Sequence, residues 1–132
     1  MGYHADKEAT KLWWVENSWQ CDCCYCENYR QAFPDAFPEG IETLERLGLS
    51  YDHALEICEC GWNDERTARI YQAYYPVKGS ITEDTVLLEG KGIITLFRSD
   101  SPDLHCPKPA MTPPYFVLEV QTGLPWVLEK QN

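Results

Sequence analysis

The sequence lacks any long apolar run. No stretch of its 132 residues approaches the ~20 consecutive apolar residues that a membrane-spanning helix requires, which excludes a transmembrane helix. The first eleven residues contain charged side chains and no apolar segment, so they do not form the hydrophobic part of a signal peptide. We therefore expect a cytoplasmic protein, and in a reducing cytoplasm cysteines persist as thiols.

Clusters of basic residues are also missing. The chain has 11 Lys and Arg against 21 Asp and Glu, a formal charge of -10, and its basic residues are scattered. Nucleic acids and anionic membranes bind through clustered Lys and Arg, so we expect neither as a partner. The negative charge is typical of a soluble protein. Alternatively, it attracts a basic protein partner through the negative electrostatic field.

Familiar catalytic motifs do not occur. The chain contains no phosphate-binding P-loop, no dinucleotide-binding glycine fingerprint, no nucleophile elbow and no H-E-x-x-H zinc motif. Four acidic residues lie near a predicted hairpin, but carboxylates around a turn are usually solvated. They are Glu56, Glu59, Asp64 and Glu65. We predict no catalytic residue, and a binding protein is favoured over an enzyme.

The apolar pattern predicts an α+β fold. Strands are predicted at 12–19, 53–61, 67–77, 85–88, 93–97, 115–120 and 126–129, the last six as three hairpins. One helix is predicted over 27–33, starting within 22–26 and ending at Pro34. A second begins at Pro38 and ends before Gly48. We expect one domain over 1–132, with a flexible segment 1–11 and a proline-rich loop 99–114.

This order of elements favours a mainly antiparallel sheet of about six or seven strands. Consecutive hairpins pair neighbouring strands antiparallel, whereas a parallel sheet needs alternating strands and helices, which are absent after residue 50. The two short helices are predicted to pack on one face or end of the sheet.

The feature that stands out is cysteine. Seven are present, and four of them fall in the segment C-D-C-C-Y-C at positions 21–26. Cys23 and Cys26 form a C-x-x-C pair, a spacing that lets two sulfurs reach one tetrahedral zinc ion. Structural zinc sites commonly take two ligands from such a turn and two from elsewhere, so a second pair is required.

Cys58 and Cys60 are the predicted second pair. Residues i and i+2 of a strand point to the same face, so their sulfurs can bind one ion together. We therefore predict a zinc site formed by Cys23, Cys26, Cys58 and Cys60. Such a site would contribute folding free energy on the order of 10 kcal/mol.

Several alternatives stay open at this point. Cys21 or Cys24 can replace either member of a pair, and the thiols can instead fill the core without a metal or form disulfides. His105 and Cys106 can complete a three-cysteine, one-histidine site, although an exposed loop pair is the favoured interpretation of those two. His4 and His53 are predicted to be surface residues.

A redox role is the main alternative use of the same cluster. The segment 23–26 is similar to the C-P-Y-C motif of glutaredoxins and precedes a predicted helix, whose N-terminus lowers a thiol pKa. Thr112-Pro113 before a strand also resembles the Thr and cis-Pro of that fold. The two hairpins over 51–98 contradict a thioredoxin-like fold, which needs a parallel crossover. Thiol chemistry at Cys23 and Cys26 on another fold remains as a hypothesis.

Two motifs occur in the first half of the chain: C-x-C-x-x-C-x-N-Y from Cys21 to Tyr29, and then the Phe-Pro and Leu-x-x-Leu-Gly run up to Leu49. Together they resemble a family of small uncharacterised bacterial proteins. The resemblance implies one coherent domain and transfers no catalytic residues. Cys24 departs from the small residue or proline expected at its position.

The sequence therefore predicts a zinc-stapled protein-binding module, with a basic protein as its partner. Two alternatives remain. The first is a thiol oxidoreductase or redox sensor that uses Cys23 and Cys26, and the second is a metal-free domain with buried cysteines.

Overall fold

A computed structural model describes residues 2–17 and 20–128, which contain three helices and six strands. The helices are α1 Lys7–Asn17, α2 Cys24–Ala36 and α3 Pro38–Arg46. The strands are β1 Tyr3–Ala5, β2 Glu56–Trp62, β3 Arg69–Ile81, β4 Thr85–Glu89, β5 Gly92–Arg98 and β6 Tyr115–Leu124. The predicted α+β class is confirmed, with a third helix in addition to the two expected.

The six strands form one antiparallel sheet in the order β1-β3-β6-β5-β4, with β2 also paired to β3. β3 is the longest strand, and one of its edges is shared: β2 pairs with its first part and β1 with its last three residues. The other edge of β3 pairs with β6 over ten residues. The predicted hairpins β2–β3 and β4–β5 are both confirmed.

The core lies between one face of this sheet and the helices. Aromatic side chains of α2 meet alternate residues of β3: the hydroxyls of Tyr29 and Tyr75 are 2.7 Å apart, and the Tyr29 and Tyr71 rings are 5.4 Å apart. Buried side chains on the two layers include Tyr29, Phe33, Phe37, Leu44, Tyr71, Ala73, Tyr75, Val77, Ile94, Leu96, Leu118 and Val120. The helices therefore cover one face of the sheet, as predicted.

The strand predicted at 12–19 is wrong for its described part, because residues 7–17 form α1. Asp6 begins this helix: its carboxylate accepts a hydrogen bond from the backbone N–H of Ala9 at 3.0 Å, a typical N-cap. Thr10 and Trp14, four residues apart, are buried on one face, and the Trp14 indole donates to the carbonyl of Pro76. Residues 18 and 19 lie outside the described residues.

The segment 1–11, predicted to be flexible, contains β1 and the first turn of α1. Tyr3 and Ala5 pair with Ile81 and Gly79 of β3. This backbone pairing is a long-range contact that the polar composition of the segment does not indicate.

The predicted end of a helix at Pro34 is also wrong, because α2 continues to Ala36. Proline has no backbone N–H, so the carbonyl of Arg30, four residues earlier, loses its usual helical partner. The hydroxyl of Tyr51 donates to that carbonyl at 3.0 Å instead. A tertiary hydrogen bond thus replaces the one that the proline removes, and the helix passes through it.

The third predicted hairpin is not formed by the described residues. Thr122 and Gly123, expected in its turn, lie inside β6, opposite Tyr71 and Ile70 of β3. Residues 125–128 are not in a strand, and residue 129 lies outside the described residues. The length of β3 explains the difference, since β6 pairs with it to the end.

Residues 99–114 form the predicted proline-rich loop, with no regular helix or strand. Within residues 2–17 and 20–128, no helix has the length and apolar character needed to cross a membrane.

Candidate metal centre

Three thiols meet at the N-terminus of α2. The sulfurs of Cys21, Cys23 and Cys26 all lie within 4.8 Å of one another, and this group can hold a metal ion. Cys21 is half-buried, Cys23 is exposed and Cys26 is buried. Two thiolates on one tetrahedral zinc ion lie about 3.8 Å apart, so shifts of about 1 Å are enough to close the group around an ion.

The local backbone supplies N–H groups to these sulfurs. Cys23 is the N-cap of α2, and its sulfur accepts a hydrogen bond from the N–H of Cys26 at 3.4 Å. The sulfur of Cys21 accepts from the N–H of Cys23 at 3.5 Å. Donors of this kind stabilise negative charge on sulfur, which both metal binding and thiol chemistry require.

Two members of the group have oppositely shifted pKa values. Burial raises the pKa of the Cys23 thiol, but hydrogen bonds from the Cys26 backbone and from the thiols of Cys21 and Cys26 outweigh it and lower that pKa below its ordinary value. Burial and the hydrogen bonds of Cys26 with Cys23 and Cys21 strongly raise the pKa of the Cys26 thiol. Cys23 is therefore the first of these two thiols to lose its proton as pH rises.

The helix that carries Cys26 is held to β3 and to the segment after β6 by buried hydrogen bonds. The hydroxyl of Tyr71 on β3 donates to the carbonyl of Tyr25 at 2.8 Å. The side chain of Asn28, which is fully buried, donates to the carbonyl of Pro125 and accepts from the N–H of Val127. These bonds fix the first turn of α2 and with it the direction of the Cys26 sulfur.

The aromatic surroundings of Tyr25 add to this anchor. The guanidinium of Arg69 lies 4.4 Å from the centroid of the Trp62 ring and 5.3 Å from that of Tyr25. The same group forms an ion pair with Glu59 at 2.7 Å, and both side chains are largely buried. The guanidinium of Arg69 thus fills the space beside the Tyr25 and Trp62 rings, and we interpret this cluster as structural.

Arg30 ties the loop that carries Cys21 to α2. Its guanidinium donates to the carbonyl of Cys21 at 2.9 Å, across nine residues of chain. Since Cys21 precedes the helix, this bond holds its backbone near the other two thiols. Arg30 therefore positions the third sulfur.

The three thiols open onto a cleft of about 320 Å³. Its walls include the charged residues Arg30, Asp52 and Glu56, and the apolar side chains of Ala54, Leu55, Ile57 and Pro107. The last of these belongs to the proline-rich loop, which therefore forms one side of the cleft. A space of this size lies at the lower end of those that bind small molecules.

The predicted partners of Cys23 and Cys26 lie elsewhere. Cys58 pairs with Gln72 of β3 in a register that places it on the face of the sheet opposite the helices, since its neighbour Ile57 pairs with Ala73 of the core. In the described part of the chain, no group of three or more clustered ligands includes Cys58 or Cys60. The structure thus brings together two of the four predicted ligands, with Cys21 as the third.

Cys24, the other predicted substitute, is half-buried at the first position of α2 and is not one of the three.

Cys58 belongs to a second polar group on the outer face of the sheet. Burial and the carboxylate of Glu56 raise the pKa of Cys58 to about 11, and burial with the carboxylates of Glu56 and Glu119 raises that of Cys106 to about 11. Burial also raises the pKa of Glu119, opposed by a hydrogen bond from Tyr74. These groups therefore favour their neutral forms.

His105 is exposed, and no clustered ligand group of the described residues contains it or Cys106. The predicted three-cysteine, one-histidine set is therefore not assembled.

Sequence reasoning missed the role of Arg30 and gave Cys21 second place. A signal for Cys21 existed, because C-x-C-x-x-C places three thiols within six residues at the start of a predicted helix. No sequence signal indicates Arg30, whose bond depends on how the loop folds back along α2. Comparison with protein-family models, curated proteins and solved structures finds no match for the chain.

Proposed function

We propose that this chain is a metal-binding protein in which Cys21, Cys23 and Cys26 hold a zinc ion. The observation that carries the proposal is the grouping of three sulfurs within 4.8 Å at a capped helix N-terminus. Thiolate ligands select zinc and other soft ions over Mg²⁺ and Ca²⁺. Three protein ligands are typical of zinc sites that keep a fourth position open.

The contacts around the thiols support this assignment. Backbone N–H groups already point at two of the sulfurs, and metal ligands are characteristically supported by such second partners. Arg30 and the buried bonds of Asn28 keep the loop and the helix in place without the ion. A preorganised ligand set binds its ion with less loss of conformational entropy than a flexible one.

The test is the zinc content of the natively purified protein, measured by elemental analysis and native mass spectrometry. We expect one equivalent of zinc in the wild type and in Cys60→Ser, an exposed thiol outside the group. We expect less than a tenth of an equivalent in Cys26→Ser. Equal zinc contents in the two variants, or a zinc-free wild type that does not take up added zinc, would contradict the proposal.

A second candidate function is thiol–disulfide exchange at Cys23 and Cys26. One observation favours it. The pKa of the exposed thiol, Cys23, is lowered, and the pKa of the buried thiol, Cys26, is raised. In such a reaction the Cys23 thiolate attacks a substrate disulfide, and Cys26 then displaces the substrate thiol. Two protein thiols are oxidised to a disulfide, and the substrate disulfide is reduced to two thiols.

The two candidates are separated by equilibrating metal-free protein with glutathione buffers. The redox function predicts a disulfide between Cys23 and Cys26, and a trapped glutathione adduct on Cys23 in the Cys26→Ser variant. A dithiol that stays reduced in fully oxidised glutathione would exclude that function and leave the zinc proposal standing.

The protein-binding role predicted from the charge of -10 also stays a prediction. Its test is native mass spectrometry of the protein isolated with its partners at low salt. Recovery of the bare chain alone at every ionic strength would contradict it.

A further inference from the structure

The thiols of Cys21, Cys23 and Cys26 form a ligand set without a fourth member. Their sulfurs lie within 4.8 Å of one another, and no other Cys, His, Asp or Glu of residues 2–17 and 20–128 belongs to the group. A zinc ion in this set needs a fourth donor from solvent, because zinc sites are tetrahedral. An element that forms three bonds to sulfur needs no further ligand.

We propose that the same three sulfurs also bind trivalent arsenic, taken up as arsenous acid, with one sulfur at each of its three positions. The inference rests on the thiol group of the proposed zinc site, but it does not require the zinc ion. Trivalent arsenic is pyramidal, with three bonds on one side and a lone pair on the other. Three thiols therefore complete its bonding, whereas they leave one position of a zinc ion open.

The reaction exchanges hydroxyl groups on arsenic for thiols. Three S–H bonds and three As–O bonds break, and three As–S bonds and three O–H bonds form, so three water molecules leave. Arsenic stays in its trivalent state, and no sulfur is oxidised. Each thiol proton leaves with a hydroxyl group, and the product is a neutral group of one arsenic and three sulfurs.

The neutrality of this product suits the burial of the site. Cys26 is only 5% exposed, and Cys21 is half-buried. A divalent ion with three thiolates retains one negative charge, and a buried net charge costs free energy that a neutral group does not. Arsenous acid is uncharged at neutral pH, so the charge of -10 on the chain does not oppose its approach.

The local structure favours three bonds over one or two. The N–H of Cys23 donates to the sulfur of Cys21, and the N–H of Cys26 donates to that of Cys23. Arg30 holds the backbone of Cys21 through its carbonyl. Once one sulfur has reacted, the other two are already close, and each further bond forms within the same molecule.

A small solute can reach the three sulfurs. Cys23 is exposed, and all three cysteines line the cleft of about 320 Å³. Arsenous acid, with one arsenic and three oxygen atoms, is far smaller than this space. We therefore expect binding without rearrangement of the helix or the sheet.

The test is native mass spectrometry of the full chain, reduced and metal-free, mixed with one equivalent of sodium arsenite. Three As–S bonds add one arsenic atom and remove three hydrogen atoms. Two As–S bonds leave a hydroxyl group on the arsenic and remove only two hydrogen atoms. We expect the first mass change in the wild type, and the second or no adduct in Cys21→Ser.

Two controls make the comparison specific. Cys24→Ser is the matched variant, because Cys24 lies in the same segment but is not one of the three, and it is expected to keep the wild-type mass change. Phenylarsine oxide is the matched probe, because its arsenic offers only two positions to sulfur. In competition with dithiothreitol, we expect Cys21→Ser to weaken arsenite binding about 100-fold, as for one lost intramolecular contact, and phenylarsine oxide binding less than about threefold.

Zinc uptake, measured on the same samples, separates the two proposals. A wild-type adduct that keeps a hydroxyl group, a three-bond adduct in Cys21→Ser, its loss in Cys24→Ser, or equal weakening of both probes would overturn the arsenic assignment. A zinc-binding chain with any of these results leaves the zinc site standing. Arsenic on three sulfurs without zinc uptake would overturn the zinc proposal alone, and failure to bind either element would overturn both.

Discussion

The two groups of thiols in this chain have opposite surroundings. Cys21, Cys23 and Cys26 lie at a helix N-terminus, where backbone N–H groups donate to two of the sulfurs. Cys58 and Cys106 lie on the outer face of the sheet, where burial and, to a smaller extent, carboxylates raise their pKa values to about 11. The difference teaches that the number of cysteines does not make a metal site; the meeting of three sulfurs at one helix N-terminus does.

The largest expected effect is on zinc affinity, and it concerns Arg30, whose guanidinium holds the backbone of Cys21. Arg30→Gln removes the bond from the guanidinium to the Cys21 carbonyl, so we expect zinc affinity to fall about 10- to 100-fold, the usual range for a lost supporting contact. The measurement is competition with a chromophoric chelator. Arg46→Gln, at the end of α3, is the control and is expected to keep wild-type affinity. Equal affinities in both variants would mean that Arg30 does not position the site.

The next difference is in thiol reactivity without metal. Cys23 and Cys60 are both exposed, but the pKa of Cys23 is lowered, whereas burial and the carboxylates of Glu59 and Glu119 raise that of Cys60. Because the thiolate is the nucleophile, we expect Cys23 to be alkylated about tenfold faster at pH 7.5. Peptide mapping after short exposure to iodoacetamide measures the ratio. Faster reaction at Cys60 would reverse the comparison.

A helix or strand could be predicted from the sequence when the contacts that determine it lie between neighbouring residues. The helix start within 22–26, the helix at Pro38 and the hairpins β2–β3 and β4–β5 have turn and capping signals in neighbouring residues, and they are confirmed. The errors have distant causes. The helix passes through Pro34 because Tyr51 supplies a hydrogen bond, and β6 continues past residue 120 because β3 is long enough to pair with it.

The candidate metal site also has one part that neighbouring residues determine and one part that distant contacts determine. The C-x-C-x-x-C spacing predicted that thiols would meet, because three cysteines within six residues cannot be far apart. The choice of Cys58 and Cys60 as partners required knowledge of which face of β2 turns to the helices. Alternation along a strand leaves that choice open until the pairing of Ile57 with Ala73 of the core is known. Residues 12–17 of the aromatic run form a helix instead of the predicted strand, because Asp6, the capping residue of this helix, lies before the run.

A third prediction compares two tyrosines on opposite faces of the sheet. Tyr71→Phe removes the hydroxyl that donates to the carbonyl of Tyr25 within the cysteine segment, so we expect the free energy of unfolding to fall by about 1 kcal/mol and zinc affinity to weaken a few-fold. Tyr74→Phe, on the outer face, is expected to leave zinc affinity unchanged. Urea denaturation and chelator competition measure the two effects. Equal losses of zinc affinity would show that Tyr71 has no specific role.

The smallest expected effect is on stability at alkaline pH. The pKa of Cys58 rises from the ordinary 9.0 to about 11 in the folded protein, so above pH 9 the unfolded chain releases its proton first. The free energy of unfolding therefore decreases as pH rises from about 9 to about 11. Cys58→Ala is expected to reduce this decrease by less than about 1 kcal/mol, since the group is half-exposed. An unchanged pH dependence in denaturation curves of the variant would contradict the shift.

The most direct measurement is X-ray absorption at the zinc edge of the reconstituted protein in a buffer without thiols. It counts the sulfur atoms around the metal, which are expected at about 2.3 Å in a zinc–thiolate site. We expect three sulfurs and one lighter atom, from Cys21, Cys23, Cys26 and water, with the same count in Cys58→Ser. Four sulfurs in the wild type and three in Cys58→Ser, or a zinc shell without sulfur, would contradict a three-cysteine centre at the start of α2.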